Sequence, residues 1–137
     1  MDGSFSIFDV AGAGLEAQRI RAETVMQNIA NAQVTRTDDG GPYRRQTVRF
    51  ESVLTDARDG LQRETVRAER VDDDTTPFVV IEDAGHPDAV DGRVTLPNVD
   101  LATEMVDLMD ASRKYEANLA MLRNWRELMR RTLEITR

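Results

Sequence analysis

The chain has 137 residues, 25 acidic against 18 basic, a net charge of −7 and no cysteine. That balance excludes nucleic acid, which needs a basic face, disfavours an anionic membrane surface as the main partner, and rules out disulfides, thiol catalysis and zinc–thiolate sites. With 5% aromatic residues and a mean hydropathy of −0.50, one domain of this length has only a thin core.

In chain order, the first predicted element is a long helix. Phe8, Ala11, Leu15, Gln18, Ala22, Val25, Ile29 and Ala32 recur at steps of three and four, an apolar stripe that needs a partner helix. Ser6 and Asp9 have the spacing of a capping box, and Phe5 and Val10 that of a hydrophobic staple, which predicts a start near residue 7. Gly12 and Gly14 either weaken the helix or let a second helix approach closely. Asn28 and Asn31 sit near its end, where helices disfavour Asn. They either fray and cap the helix or hydrogen-bond to fix register against a partner. The N-terminus has no basic leader and Asp9 interrupts its apolar stretch, so no cleaved signal peptide is expected. Phe78-Val79-Val80-Ile81 is the longest strong apolar run, far short of the roughly 20 residues of a membrane span, so no membrane insertion is expected.

Thr35 to Pro42 is a turn cluster ended by Gly40, Gly41 and Pro42. The period then changes to two. Val48 and Phe50 form the apolar side of a half-buried strand over 43–50. Further strands are predicted at about 62–70, 77–83 and 92–96, with breaks at Asp59-Gly60, Asp72 to Thr76 and Gly85 to Gly92, giving a small twisted antiparallel set. Residues 35–97 hold most of the acidic excess, about −5.

After Pro97 a second long helix is predicted, with Asn98 as N-cap and Asp100 in the first turn. Its seam runs Leu101, Met105, Leu108, Ser112, Tyr115, Leu119, Leu122, Arg126, Met129, Leu133 and Thr136. Acids cluster early and arginines late, as the helix dipole favours, and Asp110–Lys114 and Glu127–Arg131 are i,i+4 pairs. Trp125 lies beside the seam as a packing residue. The fold class expected is mainly α: terminal helices 1–35 and 98–137 pair as a coiled-coil-like inner domain, and 36–97 is a small β-rich outer segment. The seam residues are the candidate helix–helix or subunit interface: Phe8, Ala11, Leu15, Ala22, Val25 and Ile29, with Leu101, Met105, Leu108, Tyr115, Leu119, Leu122, Met129 and Leu133.

Catalytic chemistry is not expected. His86, the one histidine, stands in a Gly85-His86-Pro87 loop away from other ligating types. Asp72-Asp73-Asp74 lacks the Gly and distal Glu of an EF-hand loop. Gly12-x-Gly14 and Gly40-Gly41 lack the Lys-Ser/Thr sequel of a phosphate loop. Neither metal nor cofactor is expected, and an enzyme is the least favoured class.

Gln27-Asn28-Ile29-Ala30-Asn31-Ala32, followed by Thr35, resembles the N-terminal signature of the bacterial flagellar axial proteins, the rod, hook and hook-associated subunits. Asp39-Gly40-Gly41-Pro42-Tyr43-Arg44-Arg45-Gln46 and Gly92 through Pro97-Asn98-Val99 look like the short proximal-rod branch. Ala111-Ser112-Arg113-Lys114-Tyr115-Glu116-Ala117-Asn118 completes the match, with Glu116 where Gln is usual. The resemblance implies a structural subunit of the proximal rod of the flagellar basal body. Such a subunit assembles helically with copies of itself and other rod subunits and transmits torque. It also implies export without a cleaved signal by the flagellar export apparatus, as an unfolded chain, and assembly in the periplasm on the membrane-ring base. Another short rod subunit is the nearest alternative; a cytosolic helical adaptor or chaperone is a more distant one.

Overall fold

A computed structural model describes residues 2–56, 62–73 and 75–135. Its elements are α1 (Asp2–Ala30), β1 (Gln46–Asp56), β2 (Gln62–Asp72), β3 (Val79–Glu82), β4 (Arg93–Leu96) and α2 (Leu101–Ile135). Two long helices bracket two 11-residue strands and two 4-residue strands, a mixed α and β architecture rather than a mainly α one. The small antiparallel set resolves into two separate hairpins. β1 pairs with β2 from Gln46 opposite Asp72 to Asp56 opposite Gln62, and β3 pairs with β4 from Val79 opposite Leu96 to Glu82 opposite Arg93. The Asp59-Gly60 turn lies outside the described residues, as do Thr136 and the side chains of Phe5 and Ser6.

Several boundaries differ from the sequence reading, and the first strand also runs on to Asp56 rather than ending at residue 50. α1 begins at Asp2, so residue 6 lies inside the helix and not at its N-cap position. Gly3 alone opposes a helix there, at about 1 kcal/mol, and Asp2 suits the positive end of the dipole. The first strand begins at Gln46 rather than residue 43, because Tyr43 and Arg45 are drawn into a polar cluster described below. α2 begins at Leu101, and its cap is Asp100 rather than Asn98. The Asp100 carboxylate accepts from Ala102 N at 3.3 Å and Thr103 Oγ1 at 2.5 Å, while its carbonyl takes the Glu104 N–H. Those bonds hold the Asp100 carboxyl below its ordinary range, the Thr103 hydroxyl foremost.

α1 is the central element. On one side it meets α2 running antiparallel: Arg21 bridges Asp107 and Asp110 at 3.1 and 2.9 Å, and a Cβ on Gly14 would lie 3.4 Å from Asn118 Nδ2. Gly14 is thus a point of close helix approach, whereas a Cβ on Gly12 would meet nothing within 4 Å. On its other side, Ala13, Ala17 and Ile20 of α1 and Val53, Val66 and Ala68 of the β1–β2 hairpin border one cleft, and Arg70 reaches Glu23 at 2.9 Å. Both predicted i,i+4 pairs form, Lys114–Asp110 at 2.8 Å and Arg131–Glu127 at 3.0 Å.

The core is as thin as the composition requires. Among the described residues the buried apolar ones are Ala11, Ala17, Val25, Val94, Pro97 and Ala111. The β4 entry is a tight turn, Val90 to Arg93, in which Asp91 and Gly92 both take positive φ (51° and 74°). Only Gly takes that conformation freely, with Asp among the tolerant residues, which accounts for Asp-Gly at those two positions.

Candidate functional site: a buried polar junction

Three of the four largest fully buried side chains are polar. The four are Glu104, Val94, Asn28 and Thr24. Asn28 lies one turn from the end of α1 and Glu104 in the first turn of α2, and antiparallel packing brings them together: Asn28 Nδ2 donates to Glu104 Oε2 at 2.9 Å. The same Nδ2 donates to the Gln46 carbonyl at 2.8 Å. Asn28 Oδ1 accepts from Gln46 N at 2.9 Å and from the Tyr43 hydroxyl at 2.9 Å. All four hydrogen-bonding positions of the amide are filled, which fixes its orientation. Of the two readings of Asn28, hydrogen bonding that sets register is the observed one. Asn31 follows the other, donating back to the Gln27 carbonyl at 2.8 Å and capping α1.

The other Glu104 oxygen accepts from Arg45 Nε at 2.6 Å. Arg45 also lies 3.5 Å from Asp73 and 3.7 Å from Asp107. Burial acts against the guanidinium charge, but the Glu104 hydrogen bond and the three carboxylates outweigh it and hold Arg45 above its ordinary pKa. Burial first, then Asp72 and Glu104, push the Tyr43 phenol up. Asn98, buried just before α2, accepts from Arg45 N at 2.7 Å and donates to the carbonyls of Thr76 and Asp73 at 3.0 and 3.3 Å. Its side chain is committed to the loop, so the α2 cap falls to Asp100. One connected network therefore joins α1, the entry to β1, the 73–76 turn and the start of α2.

Asp73 anchors the far end. It accepts from the hydroxyls of Thr76 and Thr75 at 2.7 and 2.8 Å and from both their backbone N–H groups at 3.1 Å. The hydroxyl of Thr76, then that of Thr75, hold its carboxyl well below the usual range. A carboxylate with a depressed folded pKa contributes stability that is fully present above its unfolded value of about 3.9 and is lost as pH falls through the folded value. The urea midpoint should therefore drop steeply as pH is lowered from about 5 toward 2. Thr75→Val with Thr76→Val should flatten that drop; an unchanged profile would remove Asp73 from the account.

The expected interface residues divide. Ala11 and Val25 are buried, and Leu15, Ala22, Ile29, Leu108, Leu119, Leu122 and Met129 are half-buried. Phe8, Leu101, Met105, Tyr115 and Leu133 are exposed, Met105 by 57%. Within the subunit the fully buried helix positions are small or polar, together with Val25; a second set of large apolar side chains is half-buried, and a third is left exposed. Of the motif residues, Asn28, Pro97 and Asn98 are buried. Thr35, Gly41, Pro42 and Tyr43 are half-buried around the junction loop, where the Thr35 hydroxyl donates to Asp88 at 2.7 Å. Asn118 packs near Gly14, while Ala30, Ser112 and Arg113 are exposed. Sequence reading missed Glu104 and Arg45 as partners; a carboxylate three residues into a helix reads first as a dipole charge. Among the described residues no group of three metal-ligating side chains occurs, and no helix is long and apolar enough to cross a membrane.

Paired terminal helices bolted to a small β segment, with apolar faces left outward, define a structural subunit. Residues 90–135 match the family described as flagellar basal body rod FlgEFG protein C-terminal. The chain is similar over nearly its whole length to curated flagellar basal-body rod proteins FlgC. It is 38% identical to that of Borreliella burgdorferi (97% of each chain) and 40% to that of Agrobacterium fabrum (98% of this chain, 96% of the relative). Identity to that of Salmonella typhimurium is 37% (95% and 96%). The chain belongs to the FlgC family of flagellar basal-body rod proteins: it is a structural rod subunit of the basal body and not an enzyme.

Proposed function

We propose that this subunit builds the proximal part of the rod as an open helical array and transmits torque through it. The observation that carries the reading is the distribution of apolar surface on α2. Leu101, Met105, Val106, Met109, Met121, Leu128 and Leu133 are all between 41% and 65% exposed, and at 100° per residue they occupy more than one face. A helix apolar on several sides is one that packs against several neighbours. A single two-helix hairpin cannot cover it, whereas heterologous contacts that repeat along a tube can. In that array the paired helices form the coiled-coil-like inner domain (1–35 and 98–137) and residues 36–97 the outer segment. The seam residues named above supply the helix–helix and subunit contacts.

The chain reaches the periplasm unfolded through the flagellar export apparatus, without a cleaved signal, and assembles there on the membrane-ring base beside other rod subunits. A thin core and absent cysteine suit such passage, since little has to be undone before the chain is threaded. The test is complementation: cells lacking their FlgC should regain filaments and swimming when supplied with this chain, and cysteine pairs placed on α2 should cross-link it to rod subunits. Restored swimming without cross-links into the rod, or no swimming with the chain present in the periplasm, would reject the assignment.

A further inference from the structure

The chain has no cysteine and six methionines, four of them on α2. Thioethers are therefore the only sulfur it offers to an oxidant. The four on α2 are not placed alike. Met129 is half-buried, whereas Met105 and Met109 are 57% and 55% exposed. These two stand one turn apart, about 40° round the helix and about 6 Å along it. Leu101 and Val106, 41% and 65% exposed, join them in one apolar face. That face lies across the helix from the fully buried Ala111. It holds no charge between residues 101 and 109, because the acids there, Glu104 and Asp107, are turned to Asn28 and Arg21 of α1. A thioether in such a face packs much as Leu would until it is oxidised.

We propose that Met105 and Met109 are an oxidation site that controls whether a free subunit can be built in. Hydrogen peroxide transfers an oxygen to each sulfur: the O–O bond breaks, an S–O bond forms, the sulfur is oxidised by two electrons, and water leaves. The product is a polar sulfoxide, a strong acceptor with no donor opposite it in an apolar contact. The inference rests on the rod reading, in which this face is covered, and adds a chemical control to it. A free subunit exposes both sulfurs; an incorporated one shields them. Neighbouring sulfoxides on an otherwise uncharged face bar the oxidised chain from its contact, and methionine sulfoxide reductases restore it. Met26 and Met121, 49% and 52% exposed, are oxidisable too, but Met26 is on α1 and Met121 is about 120° round α2 from Met109, outside this face.

The test has two arms. In the first, the purified full chain is treated with hydrogen peroxide and its peptides are weighed by mass spectrometry. Met105 and Met109 are expected to gain oxygen faster than Met129, and methionine sulfoxide reductases A and B to remove it. Oxidation at Met105 and Met109 no faster than at Met129 would overturn the site. In the second, cells that depend on this chain for their rod induce it with and without sublethal hydrogen peroxide, and basal bodies are counted by electron microscopy. Peroxide should lower the number of new rods at least about tenfold with the wild-type chain. Met105→Leu with Met109→Leu should build rods equally well in both conditions, and Met26→Leu with Met121→Leu should remain as sensitive as the wild type. Wild-type rods unaffected by peroxide, a Met105/Met109 variant just as sensitive, or protection by the Met26/Met121 variant would each overturn the proposal and leave the rod subunit standing. An absence of rods in unstressed wild-type cells would instead remove the rod reading, and this control with it.

Discussion

Replacing Glu104 with Ala is expected to lower the unfolding free energy by about 3–5 kcal/mol, the range for breaking a buried ion pair by removing one partner. The cause is what remains. Arg45 keeps its charge at the junction without its closest carboxylate, and the fully buried Asn28 amide loses one of its two acceptors. Glu104→Gln should cost less, since one oxygen remains to accept, yet it still strands the guanidinium. Urea unfolding of the purified chain with each substitution decides this. A loss below about 1 kcal/mol for the Ala variant would mean that Asp73 and Asp107 hold Arg45 without help.

The second large effect concerns assembly. Leu119 and Leu122 lie half-buried in the middle of α2. An Asp at either position sets an unpaired carboxylate into a packed helix contact, at an effective cost of several kcal/mol. In a polymer that cost recurs at every subunit. Cells carrying Leu119→Asp or Leu122→Asp are expected to make the protein yet to lack rods, filaments and swimming. His86→Ala cells should swim normally, because the imidazole does no more than accept the Asp88 N–H at 3.1 Å in an outer turn. Soft-agar motility and electron microscopy of isolated basal bodies supply the readouts. Swimming in the Asp variants, or paralysis in His86→Ala cells at normal protein level, would relocate the function.

What could be read in advance follows the range of each interaction. Both helices are legible because apolar periodicity is a local signal, and the strands near 62–70, 77–83 and 92–96 because Gly, Asp and Pro break the chain around them. The ends were less so. Asn98 has the right type and place for an N-cap, and only its three long-range hydrogen bonds divert it. The junction was half legible. Asn28 near a helix end stands out as a residue needing a reason, but its partner Glu104 is 76 positions away, and nothing local separates that Glu from the other acids early in α2. The heptad seam posed a different difficulty. Periodicity says that a helix has apolar faces, not which neighbour takes each one. Here Ala11, Gly14, Ala17 and Ala111 allow close approach inside the subunit, while Leu101, Met105, Met109, Met121, Leu128 and Leu133 are left exposed.

The chain contains a single tryptophan, and its indole nitrogen is enclosed without a hydrogen-bond acceptor. Trp125 lies on α2 beyond Asn118, toward the beginning of α1, at the end of the helix pair farthest from the polar junction. Its ring is therefore an intrinsic fluorophore for closure of the two helices. Where they are together the indole is shielded and its emission lies to the blue; where they separate, water reaches the ring and the emission moves to the red. Export, refolding and incorporation can thus be followed in the unmodified subunit by light alone.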